Sequence, residues 1–433
     1  MKRVITYGTF DLFHQGHYNI LKRAKEYGDY LIVGVTGESY DIERGKLNVQ
    51  DSLLTRIRNV EETGFADEII IEEYQGQKIS DVQRYNIDTL IVGSDWRGKF
   101  DYLNEYCEVV YLERTKDISS TQIRERKGVF SIGIATDNPD DKNLIEEALY
   151  VSGAHVKSAY STDVSTLEEM KGRFELDSFS TDYDDFLQGV DIVYVKAAPD
   201  QRDDLALHAI QSGKHVIIEP PLSTSIEVAK ELLRQAKEHK VAVVERQNLA
   251  FLRAFTQLIW FLHGGAIGDI VTARLVRGSN QAADGDLTSM QYSSLYAALK
   301  IANETTACNG LKATASSKES LFNGIYLPYP DKLISIELST KVDLDNGLTI
   351  FGTDGFVRVP DDWWNMGYFE VFTPGQAHPK RYSFNFEGNG FRYLLRELLI
   401  ALKLGKSEIA KYPFEETLNL IDAFGKIREI GNE

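Results

Sequence analysis

The sequence predicts an α/β protein: a doubly wound parallel sheet, a second unit of the same kind, and an α+β unit with a mainly antiparallel sheet. Three observations predict it. Short β-rich runs alternate with amphipathic helical stretches from Met1 to about Lys127, the alternation restarts at Val129, and from about Asp269 the strands lengthen before two terminal helices. At 433 residues the chain exceeds one ordinary core, and the expected domains are 1–127, 129–250 and 251–433.

In the first unit, strands are expected at 4–7, 30–35, 68–71, 89–92 and 109–112, with helices near 17–27, 52–63, 78–84 and 121–126. Alternation of this kind gives a parallel, Rossmann-like sheet that takes ligands at the carboxyl ends of its strands. The run Arg124-Glu125-Arg126-Lys127-Gly128 reads as a helix end with basic residues and a capping glycine, which sets the boundary. A second Rossmann-like series follows: a strand at 129–134, a helix at 143–151, strands at 192–195 and 215–218, and a helix at 225–239. The last unit has strands at 270–277, 333–338, 348–351 and 355–358 and helices at 391–404 and 414–429. There is no internal repeat, low-complexity segment or long flexible linker.

A formal charge of −17 argues against nucleic acid or an anionic membrane surface as a partner, so phosphorylated substrates must meet local basic clusters. Residues 1–127 carry 18 basic and 22 acidic side chains and the remainder 30 and 43, so the second half is the less hospitable to a phosphate. The two cysteines, Cys107 and Cys308, supply neither a disulfide framework nor a zinc spacing. No apolar run reaches the length of a membrane span and nothing resembles a signal peptide, so no membrane insertion and a cytoplasmic location are expected.

Chemistry concentrates in Gly8-Thr9-Phe10-Asp11-Leu12-Phe13-His14-Gln15-Gly16-His17, directly after the apolar run Val4-Ile5-Thr6-Tyr7. A strand ending in Gly-Thr lets backbone N–H groups approach phosphate oxygens, and the helix opening beside it adds its positive end. The H-x-G-H spacing turns both imidazoles toward the same spot, where they can donate to charge building up on bridging oxygens. The chemistry implied is nucleotidyl transfer.

Three further clusters support it. Arg44-Gly45-Lys46 offers two cations on a turn suited to gripping a phosphate, a solvated loop being the competing reading. In Gly93-Ser94-Asp95-Trp96-Arg97-Gly98-Lys99-Phe100 a carboxylate, an indole and two cations follow a buried strand, with Asp95 either binding base or ribose or capping a helix. Arg114-Thr115-Lys116-Asp117-Ile118-Ser119-Ser120-Thr121 places Arg114 beyond a strand and hydroxyls at a helix start, a second phosphate cradle.

On these stretches, together with Cys107-Glu108-Val109-Val110-Tyr111-Leu112, residues 1 to about 127 resemble the glycerol-3-phosphate cytidylyltransferases over the family's whole length. The H-x-G-H is shared with many nucleotidyltransferases; the run Asp95-Trp96-Arg97-Gly98-Lys99-Phe100-Asp101 is the specific part. The resemblance implies CTP and glycerol 3-phosphate, or a related polyol phosphate, as substrates, Mg2+ with CTP, and a product used for a cell-surface polymer such as teichoic acid or capsule. It implies catalytic roles for His14, His17, Lys46 and Arg114, and nucleotide contacts from Gly8, Thr9, Phe10, Asp95, Ser119, Ser120 and Thr121. Arg44, Lys46, Arg56, Trp96 and Lys99 are the implied substrate contacts. The loop from Arg44 to Val49 is one residue longer than the family pattern, which leaves open which cation takes which phosphate. Asp117 stands where the family has glycine.

Residues 129–433 resemble the glucose–fructose oxidoreductase and inositol dehydrogenase family, through Tyr183 to Leu187, Val190 to Val195, Ala206 to Pro221 and Gly268-Asp269-Ile270. The residues that family uses for chemistry are altered. Gly133-Ile134-Ala135-Thr136-Asp137-Asn138-Pro139 replaces G-x-G-x-x-G, Pro220 stands in the lysine position of Glu-Lys-Pro, and Ser289 and Ser293 fall where an acid and a His or Tyr are usual. The expectation is a non-catalytic scaffold that does not use NAD(P). Two alternatives stay open: a bifunctional enzyme with an unconventional NAD(P) site, and a sensing domain using Glu219, His208, Trp363 or Trp364. Both resemblances imply a homodimer.

Overall fold

The computed structural model describes residues 1–43, 45–47, 49–113, 130–280, 286–305, 311–314, 321–360, 362–376, 378–384 and 387–431. The chain forms two compact units, Met1–Val129 with Ala148–His155, and Phe130–Glu147 with Val156–Glu433.

The first unit holds strands β1 (Arg3–Gly8), β2 (Tyr30–Thr36), β3 (Glu68–Glu72), β4 (Thr89–Gly93) and β5 (Glu108–Leu112), all parallel, in the order β3-β2-β1-β4-β5. Its helices are α1 (Gln15–Lys25), α2 (Glu38–Glu43), α3 (Leu53–Glu61) and α4 (Gln77–Arg84). Alternate strand residues feed two cores. Val4, Leu31, Val33 and Val35 pack on Leu21 and Ala24 of α1 and Val60 of α3, while Ile5, Ile32 and Leu90 pack on Val82 of α4 and on Leu103. The strand order reverses at β1 and β4, which puts the ligand crevice of such a sheet at their carboxyl ends.

The second unit carries a parallel sheet of β6 (Phe130–Thr136), β7 (Ala154–Tyr160), β8 (Ser178–Ser180), β9 (Ile192–Lys196), β10 (His215–Ile218) and β11 (Val243–Glu245), in the order β11-β10-β9-β6-β7-β8. Its helices are α5 (Asn143–Ala148), α6 (Val164–Arg173), α7 (Tyr183–Gln188), α8 (Pro199–Gln211) and α9 (Ile226–His239). A mixed sheet follows, of β12 (Ile270–Gly278), β13 (Lys312–Thr314), β14 (Asn323–Pro328), β15 (Leu333–Ser339), β16 (Leu348–Gly352), β17 (Gly355–Val359), β18 (Tyr368–Phe372) and β19 (Lys380–Ser383). Only β12 and β15 pair in parallel; the other described pairs are antiparallel. Helices α10 (Arg253–His263), α11 (Asp286–Ala302), α12 (Phe391–Lys403) and α13 (Phe414–Gly431) complete it.

The two parallel sheets and the mixed, mostly antiparallel one are the architecture the sequence predicts. Within the second unit, Arg392 of α12 donates to Glu147 of α5 from Nε at 2.8 Å and Nη2 at 2.7 Å, a nearly buried bidentate pair. No helix among the described residues is long and apolar enough to cross a membrane.

Candidate active site

The H-x-G-H segment lies at the carboxyl end of β1. Its helix starts at Gln15, two residues earlier than expected, because His14 is the N-cap: the Gly16 N–H donates to His14 Nδ1 at 3.0 Å. That bond leaves the proton of a neutral His14 on Nε2, which can donate to a phosphate oxygen. The His14 and His17 rings stack with centroids 3.9 Å apart, and His17 is flanked by the Phe10 and Phe13 rings at 5.5 and 5.4 Å. Gly8 is required here, since a Cβ would lie 2.9 Å from the Phe10 ring.

Lys46 joins this cluster. Its Nζ donates to Thr9 Oγ1 at 2.6 Å, and Thr9 Oγ1 lies 3.3 Å from Asp41 Oδ1. A cation anchored on the residue that follows β1 can neutralise a polyphosphate held over the same strand end. Lys46→Ala should raise KM for the nucleotide substrate about tenfold or more, checked by initial rates at varied nucleotide.

Arg56 corrects an expectation. Rather than reaching out to substrate, its side chain is fully buried and donates from Nη1 to Thr9 O at 2.8 Å and Thr36 O at 2.7 Å, and from Nε to Asp51 O at 3.1 Å. Asp41 Oδ2 lies 3.5 Å away. Arg56 ties together the ends of β1 and β2 and the loop before α3, a job invisible in a sequence where a cation near a phosphate loop reads as a grip.

On the neighbouring strand, Asp95 and Trp96 occupy a short 3-10 turn after β4, with Trp96 exposed and Lys99 Nζ 5.0 Å from its ring centre. Gly93 is the cap of that turn, so Asp95 is not its N-cap. Thus Gly8, Thr9, Phe10, His14, His17 and Lys46 come together at β1, and Asp95, Trp96 and Lys99 sit at the end of β4 beside it. Arg44, Arg114, Ser119, Ser120 and Thr121 lie outside the described residues. Among the described residues no group of three or more His, Cys, Asp or Glu could hold a metal ion.

Known proteins resemble both halves. Residues 5–126 match the cytidylyltransferase-like family model. Over 125 residues the chain is 51% identical to the glycerol-3-phosphate cytidylyltransferase of Bacillus spizizenii, a match spanning 29% of this chain and 96% of that protein. The chain belongs, through its first unit, to the glycerol-3-phosphate cytidylyltransferase family. The Staphylococcus aureus member is 43% identical over 29% of this chain and 94% of its own length. The first unit is accordingly a nucleotidyltransferase.

Residues 141–246 match the model for the oxidoreductase family with an NAD-binding Rossmann fold. A 3-ketoreductase from Actinomadura kijaniata, solved with NADP and TDP-benzene, superposes with a TM-score of 0.59 at 16% identity, over 70% of this chain and 97% of its own. At that identity the likeness shows the fold. The family match begins only at Asp141, after the strand and at the end of the turn where a dinucleotide fingerprint belongs.

In that turn, Asp141 takes hydrogen bonds from the Thr136 hydroxyl and the Lys196 ammonium, and Asp137 accepts from Ser161 Oγ at 2.8 Å. The helix that should cradle a pyrophosphate, α5, is six residues long. Gly133 serves packing, since a Cβ there would lie 2.4 Å from the Phe186 ring. Beside Pro220, the Glu219 carboxylate accepts from Arg246 Nη2 at 2.6 Å and from the Tyr194 hydroxyl. Burial pushes the Glu219 pKa up, but Arg246 and these bonds outweigh it and hold the carboxyl below its usual range. The Ser293 hydroxyl donates to Ser289 O at 2.8 Å within α11, and Arg277 Nη1 lies 3.3 Å from it. Trp363 is fully buried, its Nε1 donating to Val276 O at 2.9 Å, so it is core. His208 pairs with Asp184 at 2.8 Å.

Glu245, fully buried at the end of β11, accepts from the Leu222 N–H at 2.6 Å and the Tyr412 hydroxyl at 2.5 Å. Burial pushes its pKa up to about 7, against the lowering effect of those bonds, of Tyr292 and of Arg202. A raised folded pKa means the stabilisation from its neutral form is complete below the ordinary carboxyl range and is lost as pH rises through about 7. Glu245→Gln should flatten the fall in the second unit's melting temperature between about pH 4.5 and pH 7, read by calorimetry.

Proposed function

We propose that the first unit transfers the cytidylyl group of CTP to glycerol 3-phosphate, giving CDP-glycerol and pyrophosphate. The observation that carries this reading is the convergence of His14, His17 and Lys46 at the carboxyl end of β1. An oxygen of the acceptor phosphate attacks the α-phosphorus in line; a new P–O bond forms and the bond to the pyrophosphate oxygen breaks. The phosphate is already a competent nucleophile, so positioning and charge stabilisation dominate over proton removal. His14 donates from Nε2 and His17 from its imidazole to α-phosphate oxygens, and Lys46 offsets charge on the polyphosphate. Mg2+ enters as part of the nucleotide substrate. Asp95, Trp96 and Lys99 contact nucleotide or acceptor, and Arg44, Arg114, Ser119, Ser120 and Thr121 hold phosphates. The product supplies activated polyol for a cell-surface polymer from a cytoplasmic homodimer; a solution mass equal to one chain would contradict the dimer.

We read the second unit as a scaffold without redox chemistry, because Asp137 and Asp141 occupy its phosphate turn and Pro220 offers no ammonium group. Titration of the full chain with NADH and NADPH, followed by nucleotide fluorescence, should show no saturable binding. Saturation at micromolar concentration would overturn this reading in favour of a bifunctional enzyme acting on a CDP-polyol.

A further inference from the structure

Immediately before His14 the backbone is strained. Phe10 and Leu12 have φ of +54° and +47°, a left-handed conformation that residues bearing a Cβ adopt at a cost. Such a turn persists only where its surroundings over-determine it. Here the restraint comes from another segment. Asp51 Oδ2 accepts the Leu12 N–H at 2.8 Å, and in return Asp11 Oδ1, buried, accepts the N–H groups of Gln50 at 2.9 Å and Asp51 at 2.8 Å. The two loops exchange backbone donors in a double clasp. Arg56 reinforces it from beneath, bonding Thr9 O on one loop and Asp51 O on the other. The loop that contributes Asp51 also carries Lys46, whose ammonium reaches back to Thr9.

The Asp51 carboxylate is not needed at the start of α3. The cap there is Ser52, whose hydroxyl takes the Thr55 N–H at 3.2 Å, and Glu38 takes the Leu53 N–H at 2.8 Å.

We infer that Asp51 is a positioning residue for nucleotidyl transfer: it holds the strained 10–12 turn that aims His14 and His17, and fastens that turn to the loop bearing Lys46. The histidines and the lysine are thereby set as one unit before substrate arrives. Asp51 itself touches no reacting atom. This rests on the cytidylyltransferase reading of the first unit.

The test compares Asp51→Ala and Asp51→Asn in the full chain. Asp51→Ala should lower kcat by about tenfold to a hundredfold, the scale of a sub-ångström to 1 Å misplacement, with a smaller change in KM for CTP than Lys46→Ala produces. Asp51→Asn keeps an oxygen acceptor for the Leu12 N–H and should recover most of the rate. With histidine-labelled protein and no substrate, the ring signals of His14 and His17 should move in Asp51→Ala while those of the other histidines stay. Unchanged kcat, unmoved His14 and His17 signals, or Asn as damaging as Ala would overturn the inference. If wild-type protein fails to use CTP with glycerol 3-phosphate, the reaction reading fails, and the nuclear magnetic resonance comparison still decides the positioning role.

Discussion

His17→Ala should lower the rate of pyrophosphate release by about 10²- to 10³-fold while the protein stays folded. The ring it removes lies on the first turn of α1, stacked on His14 at 3.9 Å and set by Phe10 and Phe13. A donor held in place before the reaction stabilises charge on the transferring phosphoryl group without reorganising at the moment of transfer, which is why its loss falls on the chemical step. His17 lies outside the strands and is not itself a member of either core of the first unit, which it meets through Phe10 and Phe13, so the thermal unfolding midpoint should fall only modestly. A pyrophosphate-coupled assay beside a melting curve checks both parts. Near-normal turnover would remove the catalytic assignment.

Arg56→Met should destabilise the first unit by about 3–5 kcal/mol. The guanidinium is fully buried, donates to Thr9 O, Thr36 O and Asp51 O, and faces the buried Asp41 carboxylate. Methionine fills much of the space but removes the guanidinium donor from three carbonyls and its charge from beside the buried Asp41 carboxylate. Lysine should rescue poorly, because one ammonium cannot span the directions the planar guanidinium serves. Urea unfolding read at Trp96 reports on this unit. An unchanged midpoint combined with a raised KM for glycerol 3-phosphate would return Arg56 to the substrate-contact role first expected of it.

Strands β1, β2 and β4 are readable from sequence to within a residue or so because both faces of a parallel sheet are buried there, so each is a near-continuous apolar run. The same logic located β9 and β10. It missed β7, Ala-His-Val-Lys-Ser-Ala-Tyr, whose apolar signal is diluted by Lys157 and Ser158, and β8, which is three residues long. Helix α2 went unseen because six mostly polar residues cannot show a helical period. At the site, His14, His17 and Lys46 were legible because their chemistry and spacing are local. Asp11, Asp41 and Asp51 were not, since each acts through backbone or side-chain groups some 30 to 40 positions away. Arg56 was legible as a cation near the phosphate loop but not as a buried one; burial depends on what closes over the side chain. In the second unit the altered residues were visible in sequence, while the pairs that absorb them, Lys196 with Asp141 and Arg246 with Glu219, required the fold.

Phosphorus nuclear magnetic resonance of the purified full chain with CTP, Mg2+ and glycerol 3-phosphate tests the central claim most directly. The account predicts the diphosphate signals of CDP-glycerol growing in step with pyrophosphate, and a His17→Ala sample that stays essentially unchanged over the same period. CTP and glycerol 3-phosphate that persist together in the wild-type sample, or a His17→Ala sample that converts them as fast, would contradict it.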